Sequence, residues 1–215
     1  MARIPWEWIV DETRELERTP TWADPAAYAR TVARSYRRDF WKQQPVRCEV
    51  WSEKGTIRGV LAPVLDYYAV GFRVMHGFSS ATTVYDVSQD DGRALFALYV
   101  GDYDPSGMYM SEKDLPTRLD KYDGGHVLVK RIALTKKQVR GLPSFPAINK
   151  ARDNRYEWFV ANYGKECWEL DAMDPNDLRD CVQEAIEELI DPIAWGRCET
   201  VNQAEQESLK TVLEG

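Results

Sequence analysis

The apolar positions of this chain change period along its length. Val46-Arg-Cys-Glu-Val-Trp51 alternates as a half-buried strand does, whereas Ile57, Val60, Leu61, Val64 and Leu65 recur at helical spacing just after it. Ala94-Leu-Phe-Ala-Leu-Tyr-Val100 is apolar throughout, the pattern of a strand covered on both faces in a parallel sheet. Continued along the chain, these patterns predict strands near 46–51, 71–75, 94–101, 127–133 and 166–170. Helices are predicted near 56–68, 80–88, 108–121 and 153–163. Alternation at this spacing predicts an α/β fold, Rossmann-like, with a mostly parallel sheet and helices on both faces over residues 45–175.

The flanks read as helical. Residues 1–44 form a helical N-terminal arm in which Pro5, Trp6, Trp8 and Ile9 open one segment. Asp24-Pro25 starts another with an N-cap and a proline in the first turn, and would carry Tyr28, Val32 and Tyr36 inward. Residues 176–215 form a C-terminal helical segment packed on the α/β domain, with helices over 175–189 and 199–213.

Composition narrows the class. At 215 residues with 44% hydrophobic and 29% charged residues, the chain can bury a full core and is not of disordered type. It has no run of 18 apolar residues, and Met1-Ala-Arg-Ile-Pro-Trp-Glu-Trp8 lacks a signal peptide's apolar core, so no membrane association and a cytoplasmic location are expected. Cys48, Cys167, Cys181 and Cys198 are widely spaced, and with two histidines in the chain they suit buried free thiols better than a zinc site or a disulfide framework.

The candidate chemistry begins where the apolar run ends, at Gly101-Asp102-Tyr-Asp104-Pro-Ser106-Gly107. Asp102 and Asp104 would sit at the carboxyl end of a central strand, where open α/β sheets bind ligands, and two hard oxygen ligands there suit Mg²⁺ or Mn²⁺. The same residues are also what a tight turn wants. The Asp-x-Asp-x-Ser-Gly order matches the first half of an EF-hand loop as well, but Lys113 stands where the bidentate Glu belongs, and a strand precedes the motif. A third carboxylate, Glu53, follows the first strand in Ser52-Glu53-Lys54-Gly55. With a right-handed crossover between parallel neighbours, Glu53 would face Asp102 and Asp104.

Glu53-Lys54-Gly55, then Gly77-Phe-Ser-Ser-Ala-Thr82, then Asp102-Tyr-Asp104-Pro-Ser-Gly107 resemble the Toprim domain of the topoisomerase VI A subunit and of related meiotic double-strand-break proteins. Ala133-Leu-Thr135, Gly141-Leu-Pro143 and Trp168-Glu-Leu-Asp-Ala172 follow in that family's order, so the resemblance covers roughly residues 45–190. It implies metal-dependent chemistry on the phosphodiester of DNA, or of RNA. Glu53, Lys54, Asp102 and Asp104 would be the catalytic residues, and the three carboxylates the metal ligands. The chain departs from the family before residue 45, where 44 residues leave no room for the winged helix that carries the cleaving tyrosine. Tyr28 and Tyr36 match no tyrosine motif.

Around this centre several residues have two readings. His76 follows the second strand and is either a rim group or satisfied by nearby backbone. Ser79, Ser80 and Thr82 either cap the next helix or leave its amides for a phosphate. Ser106 and Gly107 belong to the turn, Glu112 lies one helical turn on, and Glu169 and Asp171 alternate near the last strand as further rim residues. Net charge is −7, which opposes a polyanion overall, so contact would need a local basic surface. Lys136, Lys137, Arg140, Lys150 and Arg152 are the candidates after the acidic motif, beside Lys130-Arg131 and Arg155. Arg30, Arg34, Arg37, Arg38 and Lys42 form a second cluster at helical spacing.

Three functions follow as expectations. The first is a Mg²⁺-dependent Toprim nuclease. The second is a topoisomerase-like subunit whose tyrosine or ATPase comes from a protein partner or a second copy. The third is a catalytically silent DNA-binding module.

Overall fold

Four helices start at the same dipeptide, Asp-Pro. Asp24, Asp104, Asp174 and Asp191 each accept a backbone N–H from the first turn that follows, from Ala27 at 2.6 Å, Gly107 at 2.7 Å, Asn176 at 2.8 Å and Ile193 at 2.8 Å. Proline then occupies a first-turn position whose missing N–H costs nothing. A computed structural model describes residues 19–75, 81–90 and 92–214. It divides into two compact units, Pro45–Leu189 and a second made of Met1–Gln44 with Ile190–Gly215.

The larger unit is α/β. Its strands are β1 (Arg47–Ser52), β2 (Gly71–Val74), β3 (Leu95–Val100) and β4 (Val127–Ala133). Among the described residues they form one fully parallel sheet in the order β2-β1-β3-β4. The connecting helices are α2 (Ile57–Tyr68), α3 (Ala81–Ser88) and the run α4 (Pro105–Tyr109), a π-helical turn over Met110–Asp114, and α5 (Leu115–Lys121). Alternation sends Trp51, Leu95, Ala97, Tyr99 and Val127 to one face, where they pack with Met75, Val84, Val87, Met110, Leu115 and Leu119. Val50, Leu98 and Val100 are buried on the other face, covered by α2 and by α7 (Pro175–Glu187). Cys181 of α7 reaches the Ile132 carbonyl of β4 at 3.2 Å. Helix α7 thus belongs to the α/β unit, while α8 (Pro192–Glu214) belongs with α1 (Pro25–Ser35).

The predicted strand over 166–170 is corrected. Glu166–Cys167 (β6) pairs antiparallel with Phe145–Pro146 (β5) in a separate ladder, and Trp168 adds a single antiparallel bridge to Tyr103, so the segment joins no strand of the parallel sheet. The chain then turns into a short 3₁₀ segment at Leu170–Ala172, preceding α7, because the Leu170 amide is bound to the Asp102 carboxylate at 2.7 Å. Helix α6 (Tyr156–Tyr163) lies in the connection between the two strands of this ladder and gives Phe159 and Tyr163 to an aromatic cluster on Tyr103.

In the smaller unit Phe40 and Trp41 pack edge-on against Trp195, with ring centroids 4.8 and 5.9 Å away. Tyr36 and Arg38 both bind Glu205 at 2.6 Å. Tyr28 and Val32 are exposed, against the inward placement expected of them, because the short side chains Ala29 and Ala33 are the more covered positions of α1 and Tyr28 packs on Trp22 instead. The segment around Pro5, Trp6, Trp8 and Ile9 lies outside the described residues. Cys48, Cys167 and Cys198 are buried as free thiols, and Cys181 is half-buried. Burial pushes the thiols of Cys48 and Cys167 up to about 12. No described helix is long and apolar enough to cross a membrane.

Trp51, wholly buried between β2 and β3, is the largest side chain of the central core. Trp51→Ala should cost about 3–5 kcal/mol, read as a lower urea midpoint at unchanged slope. A loss under about 1 kcal/mol would mean that this face is not the core.

Candidate functional site

The strand order sets where a ligand site can form. From β1 the chain crosses outward to β2, then back over β1 to β3, so the order reverses between β1 and β3 and their carboxyl ends border a crevice. Ser52 pairs with Val100 at the last step of that register, so Glu53 and Lys54 leave one side of the crevice and Gly101 and Asp102 the other.

At this junction carboxylates and ammonium groups interleave. Lys54 Nζ lies 3.0 Å from Asp102 Oδ1, 3.2 Å from Glu169 Oε2 and 3.4 Å from Asp171 Oδ2. Lys150 binds Asp104 Oδ2 and stands 3.5 Å from Glu169 Oε1. Asp104 is almost fully buried, with its other oxygen capping α4 through the Gly107 amide. The structure thus brings Lys54, Asp102 and Asp104 together with the expected rim residues Glu169 and Asp171, and adds Lys150, which the sequence reading had assigned to nucleic acid. Glu53 is half-buried beside Lys54.

Burial is the main reason that Asp102 holds its proton up to about 6, against which the Leu170 amide and Lys54 pull downward. Burial would raise Glu169 too, but hydrogen bonds from Asp102 and Lys54 more than offset it and hold Glu169 below its ordinary value. Asp102 is thus the member of the pair that keeps a proton to the higher pH and donates it in a hydrogen bond to Glu169. Burial pulls Lys54 down, but the attraction and hydrogen bond of Asp102, joined by Glu169 and Asp171, together outweigh it and hold the ammonium above its ordinary value.

The turn that presents Asp102 and Asp104 rests on Arg131, a residue the sequence reading placed only in a basic cluster. Arg131 is half-buried by area, and its guanidinium lies over the Tyr99 ring at 5.1 Å. It donates to the carbonyls of Gly101 at 3.0 Å, Asp102 at 3.2 Å and Leu134 at 3.2 Å, to the Gly107 carbonyl, and to Ser111 Oγ of the π-helical turn at 2.8 Å. No carboxylate pairs with it among the described residues. The signal was available: Val127, Val129 and Arg131 share one face of β4, so an inward arginine follows from the alternation. Gly107 is required here, since a Cβ would fall on the Asp102 carbonyl oxygen.

Other expected residues are dispersed. Ser106 accepts from Arg155 at 3.2 Å, while Thr82 and Glu112 are exposed on their helices. Lys136, Lys137, Arg140 and Arg152 are also exposed. His76, Ser79 and Ser80 lie outside the described residues. Among the described residues no three Asp, Glu, His or Cys side chains are gathered closely enough to hold a metal ion. By charge, Asp102, Asp104, Glu169 and Asp171 outnumber Lys54 and Lys150, and burial leaves Asp102 holding its proton up to about 6. No protein-family model, curated protein or solved structure matches the chain.

The proton kept by Asp102 has a measurable effect on stability. Because the folded-state value of Asp102 is raised from 3.8 to about 6, this group's contribution is full below pH 4 and is lost as pH rises through 6. Asp102→Asn should remove that loss, so the variant gains on wild type between pH 4 and 7 by up to about 3 kcal/mol. Urea unfolding across this range reads the difference, and parallel pH profiles for the two proteins would exclude the raised carboxyl.

Proposed function

We propose that the chain is a metal-dependent phosphoryl-transfer enzyme of Toprim type acting on nucleic acid, most simply a nuclease. The observation that supports this reading is the gathering of Asp102, Asp104 and Glu169 with Lys54 and Lys150 at the switch point of a parallel sheet, with more negative than positive charge. Asp102, Asp104 and Glu53 would hold Mg²⁺ or Mn²⁺. When bound, the ion would supply charge neutralisation at the phosphodiester oxygens.

The remaining chemistry falls to the chain's own residues. Lys54, released from Asp102, would bind a nonbridging phosphate oxygen and stabilise charge that develops there. Where Glu53 is not itself a metal ligand, it would take or give a proton at the attacking or leaving oxygen. Arg131 would keep the backbone of the Asp102–Gly107 turn fixed, so that both aspartates meet the substrate without reorganisation. Lys136, Lys137, Arg140 and Arg152 would contact flanking phosphates. Water is the nucleophile in this reading, since Tyr36 is bound to Glu205 and Tyr28 packs on Trp22.

The lysine pairs also favour a second reading, a binding module without catalysis, in which Lys54 and Lys150 replace the metal as counterions permanently. A plasmid and a single-stranded substrate, incubated with Mg²⁺, Mn²⁺ or a chelator, separate the two. Cleavage is expected with metal only, and Asp102→Asn with Asp104→Asn should lower its rate at least about a hundredfold and abolish calorimetric Mn²⁺ binding. Cleavage that appears only on adding a tyrosine-bearing or ATPase partner supports the topoisomerase-like subunit. Absence of both metal binding and cleavage, in wild type and with partners, leaves the silent module.

A further inference from the structure

The smaller unit holds a groove of about 470 Å³ between α1 and α8, lined by Arg30, Arg34, Gln203, Gln206, Glu207 and Lys210 together with Ala33. Arg30 and Arg34 are one turn apart on α1 and so share a face, while Lys210 comes from α8. All three are exposed, and among the described residues none forms an ion pair. Their neighbours in the same basic cluster are committed elsewhere: Arg38 binds Glu205 at 2.6 Å, and Arg37 lies over the Phe40 ring at 5.8 Å. Glu207 is the one acid of the lining.

In a chain with 35 acidic and 28 basic residues, three unpaired cations converging on one groove are an exception to the prevailing charge. Like charges at this spacing repel, and a bound anion removes that cost. Cβ atoms four residues apart on a helix are about 5–6 Å apart, so two guanidinium forks can engage successive groups of one polyanion, each in bidentate fashion. The Gln203 amide supplies a neutral donor beside them. Among the described residues no aromatic ring lines the groove, so they offer no platform on which a base could stack.

We infer that this groove holds the sugar-phosphate backbone of a nucleic acid, independently of base sequence. The choice of nucleic acid among polyanions rests on the function proposed above. The groove is distinct from the acidic junction of the α/β unit and needs no metal.

Fluorescence anisotropy with the whole chain tests it, with a chelator present, using labelled duplex DNA, duplex RNA and single-stranded DNA of two unrelated sequences each. Affinity should fall with salt between 50 and 200 mM on every probe that binds, equally for both sequences. The exposed triple variant Arg30→Gln, Arg34→Gln, Lys210→Gln should lower the slope of log K against log salt by about 2–3, while Glu207→Gln should tighten binding. Far-UV circular dichroism confirms that each variant is folded. Unchanged affinity and slope in the triple variant would overturn the inference, as would binding to anionic phosphatidylserine vesicles but to none of the nucleic acids. Failure of the catalytic reading is separable: salt-sensitive binding lost in the triple variant, without metal-dependent cleavage, keeps this groove and removes the enzyme. Cleavage with an indifferent triple variant does the reverse.

Discussion

A half-buried guanidinium with no carboxylate partner among the described residues is the constraint on which the acidic junction depends. Arg131 gives its N–H groups to backbone carbonyls from the end of β3, the turn after it, the start of α4 and the chain beyond β4. Burial lowers its pKa from the ordinary arginine value, but the group is so basic that it stays cationic. The Gly101 and Gly107 carbonyls also accept from the Leu134 and Met110 amides, so Arg131 fills their second lone pairs, while a carbonyl left without any donor costs on the order of 1–3 kcal/mol. One cation therefore satisfies the backbone of several segments at once and places positive charge directly behind Asp102 and Asp104. The π-helical turn serves the same arrangement, since it sets Ser111 where its hydroxyl accepts from Arg131 Nε and faces the Gly107 carbonyl.

In front of this clamp the junction holds its acids in different states. Asp104 is tied on both oxygens, by the Gly107 amide and by Lys150. Asp102 keeps a proton that it donates to Glu169, while Lys54 and the Leu170 amide occupy its Oδ1. The cations that approach from outside are flexible lysines on partly exposed stems, and the one behind is a fixed arginine. An incoming ligand would displace the lysines and the proton, and leave the arginine in place.

Much of this was legible in the chain. The four parallel strands and the helices between them follow from a period that switches between two and 3.6, and β1, β3 and β4 fall within a residue or two of their expected limits. The partition of α7 from α8 was not legible, because an apolar face does not say what it packs on and only three-dimensional contact assigns the two helices to different units. The strand expected at 166–170 failed for a local reason: one amide bound to Asp102 ends the extended run, and no periodicity encodes a bond across 68 residues. At the site, the Asp pair and Lys54 could be placed from the strand ends. Lys150 and Arg131 could not be told from surface basics by composition, although the alternation along β4 carried the hint for Arg131. Whether a basic residue faces solvent or a carboxylate depends on neighbours distant in sequence.

The all-parallel sheet also governs how the molecule reaches this state. Glu49 pairs with Gly71, Arg47 with Leu95, and Leu95 with Val127, so each pairing closes a loop of roughly twenty residues or more and no hairpin is present to seed the sheet. The closing entropy must be met before strand contacts repay it, which makes folding of the α/β unit slow relative to helical or hairpin-rich domains of its size. The β1-α2-β2 crossover spans the shortest of these loops and is the natural first step. Until β3 inserts beside β1, its apolar run Leu95–Val100 stays uncovered, and that interval is when the nascent chain is most exposed to self-association.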